Sequence, residues 1–179
     1  VSSATAAQEI ALQALRLAPG DEVITSPMTW VSTLSTIVLQ GGIPVLVDMK
    51  ADTMNLDPEG LEAAITPRTK GIVPVHFAGL PCEMDRIWQI AERHGLWVMD
   101  DAAQAMGATY RGRRIGEDPR SRFVYYSFHP NKNITTIEGG CVASGDRRFV
   151  RRIERLRFHG IEGIVQLATY FGTPNLRPE

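Results

Sequence analysis

A single lysine, Lys132, stands among Ser, Asn and Thr in the stretch Ser127-Phe128-His129-Pro130-Asn131-Lys132-Asn133-Ile134-Thr135-Thr136-Ile137-Glu138-Gly139-Gly140. The stretch follows an apolar, β-branched run and lacks helical periodicity. An amine at such a place becomes a nucleophile toward carbonyl groups when its pKa is lowered. The plain alternative is a solvated surface lysine, the usual setting for that residue. A second candidate is Met99-Asp100-Asp101-Ala102-Ala103-Gln104-Ala105, where two acids end a very apolar run. A carboxylate there can hold a protonated ring nitrogen, a ribose or a metal, or simply cap the next turn. The small residues at 102, 103 and 105 let something bulky approach the backbone, which favours a ligand.

Two further stretches add to these. Val1-Ser2-Ser3-Ala4-Thr5-Ala6-Ala7 opens a helical pattern. Hydroxyls and free backbone N–H groups at a helix start suit a phosphate, although plain capping by Ser or Thr is the commoner role. Thr29-Trp30 follows another β-branched run, and a Trp there either packs in the core or stacks on a flat ring. Taken together, a phosphate cradle, an aromatic plate, a carboxylate and an amine are the parts that hold pyridoxal 5′-phosphate. That cofactor takes a Lys Schiff base and an acidic partner for its pyridinium nitrogen.

These residues need elements to position them. Five β-branched runs recur along the chain: 22–25, 44–48, 71–76, 96–100 and 123–127. Helical patterns are read between or beside them: Thr5 to Leu17, Trp30 to Leu39, Pro58 to Ile65 after the N-cap Asp57, Met84 to His94 before the C-cap Gly95, and Asp146 to Phe158. The alternation predicts an α/β fold with a mainly parallel sheet flanked by helices. Runs apolar on both faces suit buried parallel strands, and Pro74 inside one of them predicts a bulge or an edge. Ligands of such sheets bind beyond the carboxyl ends of the strands. That rule makes Asp48, His76, Asp100, Asp101 and Ser127 the polar residues to watch.

Composition narrows the classes. The chain has 179 residues, 44% hydrophobic and 22% charged, with a formal net charge of −1. That is one globular domain's worth of sequence, not a disordered or fibrous chain. Near-neutral charge gives no electrostatic case for nucleic acid, and the six arginines between Arg147 and Arg157 read as a solvated helix face. No run is long and apolar enough for a membrane span, and no signal peptide is visible. Cys82 and Cys141 form no CxxC pattern, and His76, His94, His129 and His159 show no metal-type spacing, so no metal is expected. A reducing, cytoplasmic setting is the simpler expectation.

The chain resembles the DegT/DnrJ/EryC1/StrS family of pyridoxal-phosphate sugar aminotransferases. The matching stretches are VSSATA (1–6), GDEVITSPMTWVSTL (20–34), ITPRTKGIVPVHFAG (65–79), DDAAQAMGATYRGRRIG (100–116), SFHPNKNITTIEGG (127–140) and LRFHGI (156–161). Within the family it is most similar to the UDP-4-amino-4-deoxy-L-arabinose–oxoglutarate aminotransferases of lipid A modification. The resemblance implies a fold-type I large domain over 1–164 and an unmatched tail over 165–179. By the same resemblance, the small C-terminal domain is expected to lie outside this chain, which reads as a fragment. It implies Lys132 as the Schiff-base lysine and general base, and Asp101 as the partner of the pyridinium nitrogen. Gln104 would lie near the phenolic oxygen and Trp30 over the ring. Ala4, Thr5 and Ser127 would contact the phosphate. It also implies L-glutamate as donor, a keto-sugar nucleotide as acceptor, and a homodimer when intact. Two departures stand out: Asp100 occupies the place of a Glu, and residues 117–122 are longer and more charged than in relatives, which is expected to shift the strand leading to Ser127. The rival readings are a non-catalytic pyridoxal-phosphate or sugar-nucleotide binding protein, an inactive truncated relative, and a Rossmann-type NAD enzyme. The last lacks GxGxxG after any strand.

Overall fold

A computed structural model describes residues 1–161 of the chain. It opens with α1 (Ala4–Leu15), β1 (Glu22–Thr25), α2 (Val31–Leu39) and β2 (Ile43–Leu46). It continues through α3 (Leu61–Ala64), β3 (Thr69–Val73), α4 (Met84–His94) and β4 (Trp97–Asp101). A small hairpin of β5 (Thr109–Tyr110) and β6 (Arg113–Arg114) precedes β7 (Ser121–Ser127), β8 (Gly140–Ala143) and α5 (Arg147–Arg157). The tail expected over 165–179 lies outside the described residues.

Six strands form one sheet in the order β2-β1-β3-β4-β7-β8, parallel except for the antiparallel β7–β8 pair. Chain order reverses at β1, which has β2 on one side and β3 on the other. Ligand crevices of open α/β sheets lie at the carboxyl ends of strands where order reverses.

Alternation along the strands divides the core between the two faces. Ile24, Ile72 and Val98 pack with Leu61 of α3 and with Met84, Ile87, Trp88 and Ala91 of α4. Their chain neighbours Val23, Val73 and Met99 pack on the other face with Ala7, Ala11 and Leu12 of α1, Ile37 of α2 and Ile153 of α5. β1, β3 and β4 are covered on both sides, as their continuous apolar runs predict.

The local signals explain most boundaries. Gly95 takes the left-handed conformation that ends α4, and the Asp57 and Asp146 side chains accept from the backbone N–H groups two residues on, as N-caps. Pro58 to Ile65 is tighter than expected, with a 3₁₀ turn over Pro58–Gly60 before the short α3. The first helix is shorter than the predicted Thr5 to Leu17. Arg16 adopts a left-handed conformation and its N–H bonds back to Gln13 and Leu12, stopping α1 before Pro19. Pro74 makes neither a bulge nor an edge. It follows the last residue of the interior strand β3, where it needs no donor, and its carbonyl accepts the Asp101 N–H at 2.9 Å. The irregularity expected from residues 117–122 falls at the start of β7, where the pairing skips from Val98–Ser121 to Met99–Phe123. Regular pairing resumes before Ser127, so that end of the strand keeps its register.

Candidate active site

Successive residues of a strand point to opposite faces, and this separates Asp100 from Asp101. Asp100 lies on the α4 face. Its Oδ1 accepts from Ser121 Oγ at 2.8 Å, and Ser121 accepts in turn from Trp88 Nε1 at 2.9 Å. His76 Nε2 stands 3.8 Å from Asp100 Oδ2, and the Cys82 N–H donates to His76 Nδ1 at 3.2 Å. These groups form a buried structural network, and neither His76 nor Asp100 reaches the opposite face.

Asp101 lies on the α1 face, in a cavity of about 300 Å³ at the strand ends. Its Oδ1 accepts from the Ala103 N–H at 3.0 Å, and Thr33 Oγ1 of α2 donates to Oδ2 at 3.4 Å. Burial holds the Asp101 carboxyl above its ordinary value, although hydrogen bonds and the charges of His76 and Lys132 pull the other way. A cation beside this carboxylate would favour its charged form.

Ser3, Ala4, Thr5, Trp30, Ser127, His129 and Lys132 line the same cavity. At the start of α1 the Ser3 hydroxyl caps the helix by accepting the Ala6 N–H at 3.1 Å. Capping thus accounts for Ser3, whereas the amides of Ala4 and Thr5 precede the first intrahelical bond in a helix start that lines the cavity, a place able to hold an anion. Trp30 precedes α2 and is 75% exposed, so its ring is a surface for stacking and not part of the core. Ser127 ends β7 nearly buried, with its Oγ accepting the His129 N–H at 3.3 Å. Lys132 sits in the loop after β7, which is folded back by the Lys132 N–H to His129 carbonyl bond of 2.9 Å.

Six of the seven sequence-predicted site residues therefore meet in one cavity. Gln104 does not line it. Its Oε1 accepts the Ala78 N–H at 2.7 Å, which leaves the amide nitrogen as the group that can turn toward a ligand. Asp48 is also elsewhere, exposed and turned back to accept the Met49 N–H at 2.8 Å. Sequence reasoning missed Tyr125, which lines the cavity beside Asp101. The signal was present: Tyr125 is two residues before Ser127 on one strand, hence on the same face. The fit to pyridoxal phosphate rests on the donor set itself. It combines helix-start amides and a hydroxyl for a phosphate, an open indole for a ring, a buried carboxylate and one amine.

The comparisons agree. A family model described as the DegT/DnrJ/EryC1/StrS aminotransferase family matches residues 1–173. The crystal structure of DesV from S. venezuelae is similar, with 42% identity and a TM-score of 0.87 over 92% of this chain and 44% of that one. DesI, solved in the presence of its TDP-sugar product, has 36% identity and a TM-score of 0.83 over 90% of this chain and 40% of that one. Helicobacter pylori PseC, an aminotransferase of pseudoaminic acid biosynthesis, has 31% identity and a TM-score of 0.85 over 90% of this chain and 43% of that one. The chain spans less than half the length of each of these structures. Pyridoxal phosphate is the cofactor of this family, and on the match over residues 1–173 the chain belongs to the DegT/DnrJ/EryC1/StrS aminotransferases.

Proposed function

We propose that the protein carrying this chain moves an amino group from L-glutamate to the keto carbon of a nucleotide-linked sugar, using pyridoxal phosphate. The observation that carries this reading is the meeting of Lys132 and Asp101 in one cavity with the α1 amides and the open face of Trp30. The nucleotide-sugar acceptor is supported by the likeness to DesI, whose structure was solved with a TDP-sugar product. Cell-surface polysaccharide or lipid A sugar biosynthesis, a cytoplasmic setting and a homodimer with composite sites belong to the same reading. So does the division of the chain into a partial cofactor-binding large domain over 1–164 and a tail beyond it.

When bound, the cofactor supplies an electron sink for a carbanion at the amino-bearing carbon. The chain's own residues do the rest. Ala4 and Thr5 donate their backbone N–H groups to the phosphate, and Ser127 adds a hydroxyl. Trp30 covers one face of the ring and excludes water from it. Asp101 stays ionised against the ring nitrogen and keeps that nitrogen protonated. Lys132 anchors the ring through its Nζ, then takes the proton from the donor carbon and returns it on the neighbouring side. Gln104 turns its amide nitrogen to the phenolic oxygen.

The test is borohydride reduction of the purified protein with pyridoxal phosphate, followed by peptide mass spectrometry. The expected result is a pyridoxyl group on the peptide holding Lys132, and its loss in Lys132→Ala with an unchanged circular dichroism spectrum. Lys132→Ala should also lower amino transfer by at least about a thousandfold, since it removes nucleophile and base together. No adduct, in this chain or in a longer one that contains it, would favour a protein that neither binds the cofactor nor turns over.

A further inference from the structure

Asp101 and Tyr125 are register partners on the adjacent parallel strands β4 and β7. Their side chains therefore leave the sheet on the same face, side by side, and both line the candidate site. Tyr125 is 2% exposed, and its hydroxyl interacts with Asp101 and Thr33 without reaching the geometry of a regular hydrogen bond. A buried hydroxyl short of a regular hydrogen bond is costly, and a phenylalanine would pack the same ring without that cost. Asp101 has room for another donor. An ionised carboxylate offers about four lone-pair sites, and among the described residues the Ala103 N–H and the long Thr33 bond of 3.4 Å are the ones in regular hydrogen-bond geometry.

The geometry points to Tyr125 as a positioning residue, whose hydroxyl donates to the Asp101 carboxylate and, with Thr33, fixes its aim at the ring nitrogen. Burial and the Asp101 charge push the Tyr125 phenol well above its ordinary value, so it keeps its proton and serves as a donor throughout the working pH range. Thr33 is itself held by Thr29, with their hydroxyl oxygens 2.8 Å apart. The start of α2 thus supports one carboxylate oxygen while β7 supplies the hydroxyl beside it. Hydrogen bonds of this kind are often long until the site is loaded, and tighten on the charge they serve. The inference rests on Asp101 being the ring-nitrogen partner.

The test is Tyr125→Phe, with two readouts. The first is the titration of Asp101 followed by carbon NMR in the purified protein without added pyridoxal phosphate. Asp101 is faced there by His76 beyond β3 and by Lys132 beyond β7, with Asp100 acting on the Tyr125 side; all three are retained in the variant. Loss of a donor to the charged form should raise the Asp101 midpoint by about half a pH unit or more. An unmoved midpoint overturns the proposal, whatever the protein does with pyridoxal phosphate. The second readout is pyridoxal phosphate affinity by fluorescence titration. Tyr125→Phe should weaken binding about threefold, the equivalent of half a pK unit, and should have no effect in an Asp101→Asn background. Equal weakening in both backgrounds would mean that Tyr125 acts through packing alone, and would also overturn it. Thr33→Val, which keeps shape and removes the other hydroxyl, should shift Asp101 in the same direction.

Discussion

Asp101 carries opposing demands on stability and function. Burial raises its carboxyl pKa, so the folded protein holds that proton to higher pH than the unfolded chain does. Folding then gains from the protonated form in acid and loses that gain as pH climbs through the raised value. Asp101→Asn should therefore melt close to the parent near pH 4, and higher than the parent near pH 8, when measured without pyridoxal phosphate. Cofactor affinity should fall, because a neutral amide cannot hold a pyridinium proton. A melting difference that does not grow with pH would show that Asp101 ionises without cost. At this scale the sequence was only partly legible. Two adjacent acids are indistinguishable in a string, and only the alternation of β4, with Val98 and Asp100 on one face and Met99 and Asp101 on the other, assigns them. Gln104 shows the same limit, since its neighbour Ala78 comes from a distant turn that no local pattern announces.

The elements were far easier to read. β1 and α4 match the expected spans, because a β-branched run and a C-cap glycine act locally. β8 and the β5–β6 hairpin were not foreseen. β8 is short and starts on a glycine, and it exists because Tyr126 and Ser127 find Cys141 and Gly140 as partners across the loop. That loop holds Lys132 and contains one strained residue. Ile137 has φ +71° and is 78% exposed, a conformation that β-branched residues rarely adopt. Ile137→Gly should relieve this strain and lose almost no burial. The expected gain is about 0.5 kcal/mol after the extra unfolded-state entropy of glycine is subtracted, read from urea unfolding. A loss of stability would show that the Ile137 side chain packs more than its exposure indicates.

At the scale of the whole molecule, segments 139 residues apart in sequence meet beside the site. Val1 and Gly140 exchange backbone hydrogen bonds of 3.0 Å in both directions. Gly140 is present because nothing larger fits: a Cβ there would lie 2.4 Å from the Ser3 carbonyl carbon and 2.6 Å from the Ala4 nitrogen. Gly140→Ala should cost about 2 kcal/mol by overpacking. It should also weaken pyridoxal phosphate, because the backbone that must yield is the phosphate-facing start of α1. Unchanged affinity in that variant would detach the α1 amides from the phosphate role. The parallel sheet was legible from spacing alone, whereas this contact joins the first residues to the strand after the lysine loop and leaves no mark on either segment.

The same contact gives the protein an internal gauge. The Gly140 amide proton is held by the Val1 carbonyl, and Gly140 touches the backbone that begins α1. Anything that steadies α1 against β8 must slow deuterium uptake at that one amide, and anything that loosens it must speed uptake. Occupancy of the cavity can thus be followed at a backbone position outside the cavity lining, by isotope exchange instead of colour or turnover.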